Sequence, residues 1–81
     1  MINVLFFAQV RELVGCDSLQ VEAVYADVEQ LRAALAGRGS RWALALEAGK
    51  LLAAVNQTLT GLETPLADGD EVAFFPPVTG G

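Results

Sequence analysis

The chain ends in Asp68-Gly69-Asp70-Glu71-Val72-Ala73-Phe74-Phe75-Pro76-Pro77-Val78-Thr79-Gly80-Gly81: a turn, a strand and a tail in succession. Asp-Gly-Asp is turn chemistry. Glu71 to Phe75 alternates as a strand, with Glu71, Ala73 and Phe75 on the outer face and Val72 and Phe74 inward. Pro76 and Pro77 cannot continue a central strand, so residues 1–75 read as the domain and 76–81 as an extended, flexible tail. Six residues reach ~20 Å at most, enough to cross a partner's cleft. A terminal α-carboxylate, with a pKa of about 3.3–3.7, is an anion at neutral pH and a nucleophile toward an activated phosphate. Glycine has no Cβ, so Gly80 and Gly81 pass through slots closed to other residues. The tail therefore reads as a tethered reactive carboxylate delivered into another protein's site. A merely frayed terminus is the plain alternative.

Composition narrows the field for the rest. With 81 residues there is room for one small domain and a modest core. The apolar fraction is 53%, so some apolar surface is left outside for a partner. Net charge is −5 and no basic cluster occurs, which disfavours nucleic acid and anionic membranes. No apolar run approaches the ~18–20 residues of a membrane span, and Met1-Ile2-Asn3 lacks a basic leader region. The expected location is the cytoplasm. Histidine is absent and Cys16 is the one cysteine, which removes an internal disulfide, a self-contained Ser-His or Cys-His site and a zinc site. Cys16 itself reads as a small surface or half-buried residue.

Taken from the start, Ile2 to Ala8 is strand-like, with Ile2, Val4 and Phe6 inward and Asn3, Leu5 and Phe7 outward. Gln9 to Val14 is a short helical turn ended by Gly15, with Arg11 and Glu12 in solvent. Ser18 to Ala23 alternates, with Leu19, Val21 and Ala23 inward, and pairs back on the first strand. Asp27 caps the main helix, with Gln30 as its capping-box partner, and the helix runs to Ala36. Val28, Leu31, Ala34 and Leu35 form its apolar stripe, and Glu29, Arg32 and Ala33 lie away from it. Gly37 and Gly39 stop it. Ser40 caps a second helix, Arg41 to Ala48, in which Trp42 packs on Leu46 before Gly49 ends it. Leu52 to Val55, apolar on both faces, reads as a central strand, and Thr58 to Thr60 as a further short one. Thr64-Pro65-Leu66 is a turn. Asp68 and Asp70 lack the other acidic residues of a calcium loop.

Strand, strand, helix, then strands fits an α+β mixed sheet curled round one main helix, with short extra helices: the β-grasp, or ubiquitin-like, architecture. Its first and last strands lie parallel at the centre. Phe7 and Phe75 then share one outward patch at the root of the tail.

Val4-Leu5-Phe6-Phe7-Ala8 with Arg11-Glu12-Leu13, Ala54-Val55-Asn56-Gln57, the run Asp68 to Val78 and the final Gly80-Gly81 resemble the small subunit of molybdopterin synthase, the MoaD family. The resemblance covers nearly the whole chain, and Phe-Phe-Pro-Pro-Val-x-Gly-Gly is its specific part. It implies that an E1-like adenylyltransferase uses ATP to make an acyl-adenylate of Gly81. A sulfur donor then displaces AMP to leave a thiocarboxylate. The large synthase subunit accepts the tail, and the sulfur passes to cyclic pyranopterin monophosphate. The catalytic lysines and the ATP site belong to the partners, and this chain binds no cofactor of its own. Two sulfurs are needed, so two carriers act per product, and the resemblance implies a hetero-oligomer of two small and two large subunits. Carried onto this sequence, Gly81 bears adenylate and sulfur. Phe7, Leu59 and Phe75 form the docking patch with Arg11 at its rim, and Pro76, Val78, Thr79 and Gly80 lead the tail in. A thiamine-type sulfur carrier shares the Gly-Gly ending but resembles this tail less. A protein modifier acting on lysines and an inert interaction domain are the other readings.

Overall fold

A computed structural model describes residues 1–77. β1 (Ile2–Phe6), α1 (Ala8–Val14), β2 (Ser18–Val21), α2 (Val28–Ala36) and α3 (Ser40–Ala45) are followed by a 3₁₀ turn (Ala48–Lys50). β3 (Leu52–Val55), β4 (Thr58–Thr60) and β5 (Glu71–Phe75) complete the order. The strands form one sheet in the order β2-β1-β5-β3-β4. β1 and β5 run parallel, with Val4 beside Val72 and Phe6 beside Phe74. All other pairs are antiparallel. This is the expected β-grasp arrangement.

Alternation along β1 and β5 puts Ile2, Val4, Phe6, Val72 and Phe74 on one face, each at most 1% exposed. Val28, Leu31 and Leu35 of α2 close over them, also at most 1% exposed. Each such side chain contributes about 1.5–3 kcal/mol by leaving water. Phe6 stacks on Phe74 with centroids 6.3 Å apart. It meets Trp42 of α3 edge-on at 5.6 Å. Trp42 is thus core packing, as expected.

Several boundaries differ from the sequence reading. β1 stops at Phe6 rather than Ala8, because Ala8 takes φ 53° and turns the chain into α1. β2 stops at Val21, and Ala23 is exposed in a tight turn where the Val24 N–H donates to the Glu22 carbonyl at 2.9 Å. Ala34 is exposed, not part of the buried stripe. α3 packs on the opposite flank of α2, where Arg32 Nη1 donates to the Leu46 carbonyl at 2.7 Å. That leaves the Ala34 flank open. The second helix is capped by Gly39 and ends at Ala45, so Ser40 lies inside it and Gly49 sits within the 3₁₀ turn. Asp27 does cap α2, accepting from the Gln30 N–H at 2.8 Å. Gln30 answers one residue early, accepting from the Ala26 N–H at 3.0 Å. β3 is an interior strand, but the middle of the sheet is β5.

Two tight turns set the sheet's register. Asn56 and Gln57, at φ 50° and 69°, make the two-residue hairpin between β3 and β4. Gly69, at φ 92°, lets the chain reverse before β5. Its N–H donates to the Met1 carbonyl at 3.0 Å, so the turn before the last strand is tied to the start of the first.

Candidate functional site

The helices bury their apolar residues on one face of the sheet, and among the described residues no helix covers the other face. Register decides what that open face shows. Leu5 pairs with Ala73, Ala73 with Ala54 and Ala54 with Leu59, so these four cross the sheet as one apolar row. Phe75 beside Leu52 begins the next row, toward the tail. At the other end, Gln20, Asn3 and Glu71 form a polar row in which Gln20 Nε2 donates to Asn3 Oδ1 at 2.7 Å.

Phe7 joins this face through a local device. Its backbone is extended, and its N–H donates to the Phe74 carbonyl at 3.1 Å, continuing the ladder one step past β1. Ala8 then turns away in the left-handed region, which costs an L-residue roughly 1–2 kcal/mol. The chain leaves for α1, and Phe7 stays outward, 46% exposed. Leu59, at 65%, is the other strongly exposed apolar side chain of the face. Phe75 is half-buried. Leu5, Phe7, Ala54, Gln57, Glu71, Ala73 and Phe75 together line a shallow hollow of about 550 Å³.

Phe7 and Phe75 are therefore brought together, whereas Leu59 sits one row away, at the β4 end of the Leu5–Ala73–Ala54 row, and does not line their hollow. Arg11 is elsewhere, on α1, where it lines an open hollow with Glu12, Gly15, Cys16 and Asp17. Cys16 is half-buried there. Pro76 forms part of a second, smaller cleft of about 230 Å³ with Gln9, Val10, Leu13, Leu44, Ala45 and Lys50. Val78, Thr79, Gly80 and Gly81 lie outside the described residues.

Leu5, Ala54, Ala73, Gln57 and Glu71 were not singled out as site residues from sequence. The outward positions of Leu5 and Ala73 were legible. What was missing was the strand order that lines them up with Ala54. Among the described residues no group of histidine, cysteine or carboxylate side chains is placed to hold a metal ion. No helix among them is long and apolar enough to cross a membrane. What the arrangement presents is an uncovered apolar sheet face that runs to Phe75, the last residue of β5.

The chain is similar to known proteins over nearly its whole length. The profile of the ThiS family matches residues 4–81. The molybdopterin synthase sulfur carrier subunit of Escherichia coli is 69% identical over 81 residues, covering both chains completely. A protein–protein complex of subunits 1 and 2 of molybdopterin-converting factor from Helicobacter pylori contains a chain 31% identical at a TM-score of 0.66, covering 99% of this chain and 97% of that one. The small archaeal modifier protein 1 of Methanosarcina acetivorans is 26% identical at a TM-score of 0.78, covering 99% and 95%.

Proposed function

The chain belongs to the ThiS family, and on that premise we propose that it is the sulfur-carrier subunit of a molybdopterin synthase. The observation that carries this is the uncovered apolar sheet face, with Phe7 and Phe75 at the end from which the tail departs. A partner seated there covers the end of β5, from which the tail departs. Phe7, Leu59 and Phe75 are the contacts, Arg11 is a rim contact beyond them, and Pro76, Val78, Thr79 and Gly80 thread the cleft.

The reactive group is the Gly81 carboxylate. It attacks the α-phosphorus of ATP in an E1-like adenylyltransferase, forming an acyl–phosphate bond and releasing pyrophosphate. Hydrosulfide supplied by a sulfur donor attacks the acyl carbon; a C–S bond forms, the C–O bond to AMP breaks, the proton is lost to solvent and a thiocarboxylate remains. Within the large subunit that sulfur passes to cyclic pyranopterin monophosphate, in an assembly of two small and two large subunits. No histidine, metal or cofactor of this chain is required, because activation and transfer take place on the partners.

Likeness to a modifier protein supports a second reading, in which the activated glycine is passed to lysines. Reconstitution separates the two. With the activating enzyme, ATP and a sulfur donor, the intact mass should rise by the exchange of one oxygen for one sulfur. With the large subunit and cyclic pyranopterin monophosphate, dithiolene should form. Conjugates on lysine without dithiolene would establish the modifier reading instead.

A further inference from the structure

The open face is graded along its strands, and the grading carries information about the partner. Phe7 and Phe75 sit at the tail end, and Glu71 at the opposite end of β5. Four residue steps along β5 take Glu71 to Phe75, about 13 Å. Glu71 lines the same hollow as the two phenylalanines and is half-buried in it. The ion pairs among the described residues are Met1–Asp68, Arg32–Glu29 and Lys50–Glu47, so this carboxylate has no cation of its own. Its backbone N–H is taken by Asn56 Oδ1 at 3.0 Å, which fixes the strand and leaves the side chain free of the fold. A wholly apolar surface sealing the hollow would strip water from the carboxylate and give nothing back, which is costly. A surface that covers the phenylalanines and carries a cation over Glu71 avoids that cost.

We infer that the face is built for a partner surface with apolar side chains over Phe7 and Phe75 and one lysine or arginine paired with Glu71, and that this pair sets which way round the partner sits over the tail. The inference rests on the sulfur-carrier reading only in taking the large synthase subunit as the partner. An apolar patch alone tolerates rotation, because the hydrophobic effect is non-directional. One charge pair about 13 Å from the tail root removes that freedom.

The test is calorimetric titration of the whole chain into the large subunit of the same organism, at low and at high salt. Glu71→Gln should weaken binding about tenfold, and Glu71→Lys about thirtyfold or more. Added salt should weaken the parent more than Glu71→Gln. Thermal unfolding of both variants should match the parent, since the side chain holds nothing in the fold. Affinities of both variants within about twofold of the parent would overturn the proposal, as for an ordinary exposed charge. Phe75→Asp is measured alongside. If it alone loses affinity, the docking face stands and the Glu71 pairing is overturned; if all three variants bind like the parent, both are overturned.

Discussion

Asn56 shows how one residue holds the open face in register. Its N–H donates to the Glu71 carbonyl at 2.8 Å, its Oδ1 accepts from the Glu71 N–H at 3.0 Å, and its Nδ2 donates to Asp70 at 3.0 Å. It does this at φ 50°, a conformation that asparagine tolerates better than most residues. Asn56→Ala should cost about 2 kcal/mol, from left-handed strain and lost hydrogen bonds. Asn56→Gly should cost less, because it removes the strain. Urea unfolding of the two variants checks the order. The same side chain is the first cause holding the Asp70 carboxyl below its ordinary value of 3.8, with the Ala67 N–H second. A folded value below the unfolded one means that the folded state binds fewer protons. The stabilisation is therefore present above about pH 4 and is lost as pH falls through the folded value. The effect is small, because the pair lies at the surface. In Asn56→Ala, an NMR titration should show Asp70 moving back up toward its ordinary value.

Among the elements, α3 depends on α2 for more than apolar contact. Arg32 holds Glu29 through two bonds, at 2.7 and 2.6 Å, and reaches the Leu46 carbonyl just past the end of α3. The guanidinium keeps the Glu29 carboxyl below its usual range. Leu46 is fully buried, so this carbonyl would otherwise be hard to satisfy. Arg32→Ala should destabilise by about 1–3 kcal/mol, and Arg32→Lys should recover only part, lacking the planar fork. Chemical denaturation measures both. In the sequence, periodicity places Arg32 off the α2 stripe and gives it no partner. Which flank of α2 receives α3 is a matter of packing, and the helical repeat does not encode it.

For the molecule as a whole, the core and the proposed docking face occupy opposite faces of the sheet. The buried core runs from Ile2 to Phe74. Deleting Gly81, or adding one residue after it, should abolish sulfur transfer in the reconstituted synthase and leave the thermal midpoint unchanged. Retained transfer would remove the terminal carboxylate from the mechanism. A large fall in midpoint would show that the tail supports the fold.

The amino-acid order alone determined the strand alternation, the capping of α2 by Asp27 and the turn at Gly69. These depend on residues within a few positions of one another. The tertiary structure decided which outward residues meet. Leu5, Ala73, Ala54 and Leu59 form one row only because β5 inserts between β1 and β3, and Glu71 shares a hollow with Phe7 only through the same pairing. Those contacts join residues far apart in the chain, and strand order, which no local pattern specifies, is what brings them together.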